Sequence, residues 1–358
     1  MTGRDPKANR LADLLGSRLL PRLLRYTNRA GDSYTTTWKR PKRADRTSSW
    51  ADPDVSHERM AIVMQGPIAT DGDFTLETLK LYVRHMPGCD LILSTWKNTP
   101  AEQLDPIRQL GVRVVLSDQP AMQGPFNVNM QLTSAGNGVR AAVENGAEWI
   151  LKTRTDQRLG DRNAMVFLQS LAETFPPARD TGQRHRIVGI GHGSLKFAPY
   201  HVTDQTVFGH AEDMLVYWTA PLREEPAPQH WPRQLPEIFS QLPLGELCRF
   251  GAAESYICSQ FLEAKGCRLT WTLADTWAAY RDRFCLIDQA MVDFFWMKGQ
   301  MISLLESPRR YDVILNRYEM SFGEWLLLYT GKVPADAGAR YEHVLLQRFN
   351  EPVTAEAV

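Results

Sequence analysis

The chain has 358 residues, with 41 Lys+Arg against 41 Asp+Glu, 43% hydrophobic residues and 23% charged ones. At roughly 150 residues per domain this is one large globular domain or two medium ones, and disordered, collagen-like and coiled-coil architectures are excluded. A net charge of zero also excludes a surface built throughout to neutralise nucleic acid, so no nucleic-acid partner is expected.

The zero is a sum over two unlike parts. Residues 1–46 hold 12 Lys+Arg and 4 Asp+Glu, a net of +8, which leaves 29 basic and 37 acidic residues, a net of -8, for the rest. Leu11, Leu14, Leu15, Leu19 and Leu23 recur at helical spacing, with Arg18, Arg22, Arg25 and Arg29 on another side and Pro21 as a kink. Such an arm either lies on an anionic membrane surface or merely packs on the body or is disordered; both readings stay open. Arg18, Pro21 and Arg22 break the apolar core that a secretory signal needs, and the longest apolar runs, such as "WLLLY" from Trp325, are too short to span a bilayer. A cytoplasmic location, peripheral on a membrane face if the arm binds lipid, is expected. Cys89, Cys248, Cys258, Cys267 and Cys285 form no C-x-x-C pair and are expected as reduced thiols.

The division expected is a basic arm and linker over 1–58, a catalytic domain over 59–290 and a mostly helical extension over 291–358. From Met60 the pattern alternates. Strands are predicted at 60–64, 90–95, 112–116 and 148–153, with helices near 74–86, 101–110 and 127–144 between them. Four strands joined by three helical crossovers make a parallel sheet, and such sheets place ligands at the strands' carboxyl ends. The residues there are Gln65, Gly66 and Pro67, then Thr95 and Trp96, then Ser117 and Asp118, then Arg154, Thr155 and Asp156. A ring to stack, an arginine for phosphate, a carboxylate for a divalent ion and a glycine whose amide can face an anion suit a nucleotide diphosphate. Taken singly, Arg154–Asp156 reads better as a surface ion pair and Trp96 as a partly buried core residue; it is their combination that points to a ligand.

Other nucleotide signatures are missing. There is no G-x-x-x-x-G-K-[ST] and no G-x-S-x-G. Gly136, Gly138 and Ala141 match G-x-G-x-x-A, but they fall in mid-helix and are read as close-packing glycines. Beyond Asp156 a helix is predicted at 164–174, strands at 186–191 and "TVFG", and a helix from Ala211 with Glu212 and Asp213 in its first turn. Six prolines in 221–243 mark an irregular excursion, a lid or acceptor-facing loop. A helix follows with Glu254 near its start, and then "CRLTWT" and "FCLID" read as strands. His185, His192, His201 and His210 have no compact metal-ligand spacing and read as scattered loop histidines.

The strings "QGPI", "LILSTW", "NVNMQLTSAGNGV" and "ILKTRTD", in this order, resemble the WavE lipopolysaccharide-synthesis family over roughly residues 60–290. One departure is Met130, where an arginine is expected. The resemblance implies a GT-A-like fold, mostly parallel and Rossmann-type with flanking helices and a helical C-terminal extension. It also implies glycosyl transfer from a nucleotide-sugar donor to a glycan or lipid-linked acceptor of a surface polysaccharide or glycolipid. Gln65, Gly66, Thr95, Trp96, Asn127, Arg154 and Asp156 are then the donor-binding candidates. Of the acidic D-x-D motif only Asp156 is present, with Arg154 in the first acid's place, so Asp156 is the metal candidate and dependence on Mn or Mg stays open. Glu254 is similar in placement to the catalytic base of inverting GT-A enzymes; Asp204 is the second catalytic candidate, with Glu212 and Asp213 as rivals and a helix-capping charge as the bland account of Glu254. Two alternatives are kept: a non-catalytic glycan- or nucleotide-binding module, and a sugar-phosphate nucleotidyltransferase. The second needs a basic phosphate loop that "QGPIATDGDF" lacks.

Overall fold

The computed structural model describes residues 56–190, 193–226, 228–232, 235–297 and 319–348, with isolated positions 15, 19, 22 and 44. Apart from Leu15, Leu19, Arg22 and Ala44, the amphipathic arm read in residues 1–46 lies outside the described residues, as does His192. The chain forms two compact units, Met1–Pro41 and Lys42–Val358. Every element named below belongs to the second. Among the described residues no helix is long and apolar enough to cross a membrane.

The alternating pattern builds one seven-stranded sheet. Its strands are β1 (Met60–Gln65), β2 (Asp90–Trp96), β3 (Arg113–Ser117), β4 (Trp149–Arg154), β6 (Ile187–Ile190), β7 (Val207–His210) and β8 (Phe284–Ile287), in the order β3-β2-β1-β4-β7-β6-β8. All neighbours run parallel except β7, which is antiparallel to β4 and β6. The first crossovers carry α1 (Phe74–His85), α2 (Ala101–Arg108) and α3 (Val128–Glu144). The chain winds outward from β1 to β3 and then returns to lay β4 on the other side of β1. That reversal makes the β1/β4 boundary the place where a doubly wound sheet opens a crevice at its carboxyl edge.

The strands are apolar on both faces because both are covered, and β1 is buried along its whole length. On one face α3 packs directly over β1 and β2. Its two glycines permit this. A Cβ on Gly138 would stand 2.4 Å from Val63 Cγ1 and 2.9 Å from Ser94 Cβ, and one on Gly136 would stand 2.7 Å from the Trp218 carbonyl oxygen. Gly138→Ala is therefore expected to destabilise the fold by about 1–3 kcal/mol, as overpacking does in a filled core, measured by denaturant unfolding.

After β4 the chain forms β5 (Gln157–Leu159), α4 (Ala164–Thr174), β6, β7 and α5 (Ala211–Trp218). The proline-rich excursion is less irregular than its composition implies. It contains α6 (Leu235–Gln241) and leads into α7 (Leu244–Phe250), and Trp231, Ile238, Leu242 and Leu247 form a small core of their own against Phe126 and Phe239. Next come α8 (Ala253–Ala264) and α9 (Leu273–Arg283).

The strand expected at "CRLTWT" is absent. The backbone amides of Thr270 and Trp271 donate to the Tyr200 hydroxyl at 3.2 and 3.1 Å, that of Thr270 also reaches Asp275, and Thr272 caps α9. Side chains satisfy the groups that a sheet ladder would have paired.

The C-terminal stretch is not purely helical either. β9 (Phe294–Trp296) pairs antiparallel with β5 as a separate two-stranded sheet, before α10 (Phe322–Tyr329) and a 3-10 segment (Ala335–Leu346). The five cysteines are free thiols, three buried and two half-buried.

Candidate active site

Strand register and strand alternation decide which candidates meet. Gln65 pairs with Arg154 and Val63 with Lys152 across the β1/β4 boundary. Val63 faces α3, so Gln65, Lys152 and Arg154 project to that same face, two residues apart along β4. Ser94 donates to the Ser134 carbonyl of α3, which puts Ser94 and Trp96 on this face as well. Thr95 points to the opposite face, fully buried and bonded to Thr99 at 3.2 Å. Trp96 is buried too, so its ring is no open stacking platform.

Gly66 adopts a φ of +120°, and a Cβ there would come 3.3 Å from Thr155 Oγ1. Its amide does not face an anion as the sequence suggested. The amide donates to the Ser94 carbonyl at 3.0 Å, which closes the strand end. Asn127 is exposed at the start of α3 in a left-handed conformation and makes no capping bond. The buried residue there is Asn129, which bonds the Met122 and Arg223 carbonyls and the Arg223 amide and so ties two loops to the helix.

Arg154 and Asp156 form a two-pronged ion pair, with Nε–Oδ1 at 2.9 Å and Nη2–Oδ2 at 3.2 Å. Burial works against the guanidinium charge and the carboxylate outweighs it, holding Arg154 firmly protonated. Trp296 Nε1 donates to the same Oδ2 at 3.3 Å, so β9 presses on the pair from 140 residues away. Both carboxylate oxygens of Asp156 are thus engaged. Among the described residues no group of three His, Cys, Asp or Glu side chains could hold a metal. The residues at Asp156 do not fit a divalent cation in this arrangement.

A second group of charges closes on this pair from the loop before β7 and from α8. Because β7 is antiparallel, the residues just before it lie at β4's carboxyl end, and this brings in Asp204. Glu254 sits in the first turn of α8, whose start is tied down by Ser255 Oγ donating to the Pro199 carbonyl at 2.8 Å. Its side chain stays 24% exposed and stands 3.7 Å from His201 Nε2. The His201 Nδ1 lies 2.7 Å from the Gly193 carbonyl, which assigns the proton to Nδ1 and turns Nε2 toward Glu254. Burial first, and then the charge of Asp204, raise the Glu254 pKa; His201 and Arg154 oppose them. A carboxylate poised this way is a better proton acceptor than an ordinary surface glutamate.

Glu212 and Asp213 leave the contest. They follow β7, whose end pairs with the start of β4, and are occupied by Arg184 and Lys265 at the sheet's opposite edge.

Two members of the cluster escaped the sequence reading. In sequence His201 is one of four spaced histidines, and the fold scatters its companions: His185 and His210 flank Trp149 at the far edge. Lys152 carried a readable signal, a lone cation inside the apolar strand "WILKTR" in phase with Arg154.

Among known proteins, no curated one matches the chain. Two solved structures are similar to it at a low level. A mannose-1-phosphate geranyltransferase from Thermus thermophilus is 16% identical, with a TM-score of 0.28, over 56% of this chain and 67% of that one. A mannosyltransferase from Pyrobaculum calidifontis, in complex with GDP-Man and Mn2+, is 11% identical, with a TM-score of 0.30, over 81% of this chain and 92% of that one. The model of the WavE lipopolysaccharide synthesis family, in contrast, matches residues 60–349, from the first strand of the sheet through the C-terminal 3-10 segment. With the crevice residues and most of the chain inside that match, the protein belongs to the WavE lipopolysaccharide synthesis family.

Proposed function

We propose that the chain is a GT-A-like glycosyltransferase that moves a sugar from a nucleotide-sugar donor to a surface polysaccharide or glycolipid acceptor, by inversion. The observation that carries this reading is the convergence of Gln65, the Arg154–Asp156 pair and the His201–Glu254 pair on one face at the carboxyl ends of β1 and β4. Gln65 is buried and its Oε1 has no hydrogen-bond partner, which suits an N–H or O–H of the donor's nucleoside. Arg154 is the group for the diphosphate.

In this mechanism the acceptor oxygen attacks the anomeric carbon as its proton passes to Glu254, and the bond to the diphosphate oxygen breaks with both electrons leaving on the diphosphate. Arg154 stabilises that developing charge without a covalent intermediate. His201 faces the Glu254 carboxylate through Nε2 and fixes one side of its surroundings. Family membership in lipopolysaccharide synthesis supports the acceptor class, and a basic arm would hold the enzyme near anionic lipid where such an acceptor resides.

A non-catalytic binding module is the second reading, favoured by the engagement of both Asp156 oxygens. A thermal-shift panel of UDP, GDP, CDP and CMP sugars with and without Mn2+, followed by product identification, separates the two. The proposal expects one donor class to stabilise the protein, and slow release of its sugar. Stabilisation with no turnover, with acceptor glycans present, would leave only the module.

A further inference from the structure

Among the described residues Lys152 is the only buried lysine, and it has no exposed surface. A buried ammonium is expensive unless its charge and its three donors are compensated. Its donors go to the Asp204 carbonyl at 2.5 Å and the Gln205 carbonyl at 3.4 Å, and its Nζ stands 4.2 Å over the Trp218 ring. It bonds no carboxylate directly. Its charge instead acts on Asp204 first, with Arg154, Asp156 and Glu254 behind it. A methionine would fill the same space without a charge, so packing alone does not account for a lysine here.

We propose that Lys152 is a positioning residue of the active site: it fixes the Asp204–Gln205 turn through two carbonyls and supplies a positive charge that helps Glu254 give up its proton. This rests on the reading of Glu254 as the base. The groups facing it are Asp204 from the loop before β7, Glu254 from α8, Arg154 and Asp156 from its own strand, and Trp218 from α5. Tyr217 of α5 feels the same two acids, Asp204 and Glu254. A cation beside a buried acid lowers the pH at which that acid loses its proton. Burial brings the lysine itself down to about 7, so the charge it supplies fades above neutrality.

The test is the pH–rate profile of sugar transfer by the wild type, Lys152→Met and Lys152→Gln, the glutamine keeping a donor for the carbonyls without the charge. Both variants should move the acidic limb upward by about one pH unit, a roughly tenfold further loss on the acid side, with donor KM unchanged. Profiles that superimpose, or a loss equal at every pH, would overturn the proposal. A wild type that transfers no sugar would instead count against the glycosyltransferase reading. In that case the infrared carboxyl band removed by Glu254→Gln is followed against pH in the unliganded protein with and without Lys152→Met. It should persist about one unit higher without the lysine, and an unmoved band would refute the role.

Discussion

Glu254→Gln should cut kcat for transfer by about 10²–10⁴-fold, the usual contribution of a positioned base, while the donor binds within a few-fold of wild type. The substitution keeps the side chain's size at the start of α8 and removes only the ability to take a proton. The same change should raise stability at mildly alkaline pH. The folded-state pKa of Glu254 is raised, so its favourable contribution exists at low pH and is lost as pH rises through that value. A glutamine escapes the loss, and the melting temperature of the variant relative to wild type should be higher at pH 8 than at pH 5. Activity falling as stability rises is the mark of a side chain held for chemistry. The acidic limb of the wild-type profile should accordingly lie above the ordinary carboxylate range. A variant with half the wild-type kcat would remove Glu254 from the mechanism.

Arg154→Met is expected to lower kcat/KM about 10²–10³-fold, in line with removal of one preorganised donor to a developing oxyanion. Part of that loss could come from stranding Asp156, whose oxygens would keep only Trp296 of the two partners described above. The double variant Arg154→Met with Asp156→Asn separates the effects. It should recover thermal stability relative to the single variant but not activity, because the diphosphate still lacks its cation. Arg154→Lys should rescue poorly, since a point ammonium cannot reproduce the fork that engages both oxygens. Recovery of turnover in the double variant would mean that the pair is structural.

Much of the scaffold was legible because hydrophobic periodicity is a local signal. The four parallel strands, their crossover helices and the position of the crevice all follow from runs such as "MAIVM" and "EWILKT" and from the connection rules for parallel sheets. The role of Gly136 and Gly138 as packing glycines was legible for the same reason. Less visible was anything fixed by contacts distant in sequence. Which face Thr95 takes depends on register with β1. The bond from Trp296 to Asp156 spans 140 residues, and the His201–Glu254 pair is assembled by a loop clamped between α8 and α9 through Ser255 and Tyr200. The "CRLTWT" segment misled because its β-branched and aromatic residues carry strand propensity while its amides are claimed by the side chains of Tyr200 and Asp275.

The central claim is that a nucleotide sugar lies across the β1/β4 boundary with its anomeric carbon toward Glu254. A crystal structure of the protein soaked with the donor class that stabilises it in the thermal-shift panel tests this most directly. The account predicts the diphosphate within hydrogen-bond reach of the Arg154 guanidinium, the nucleoside against Gln65, and the sugar presented to the Glu254 carboxylate. A donor bound at another edge of the sheet, or one whose sugar faces away from Glu254, would contradict it.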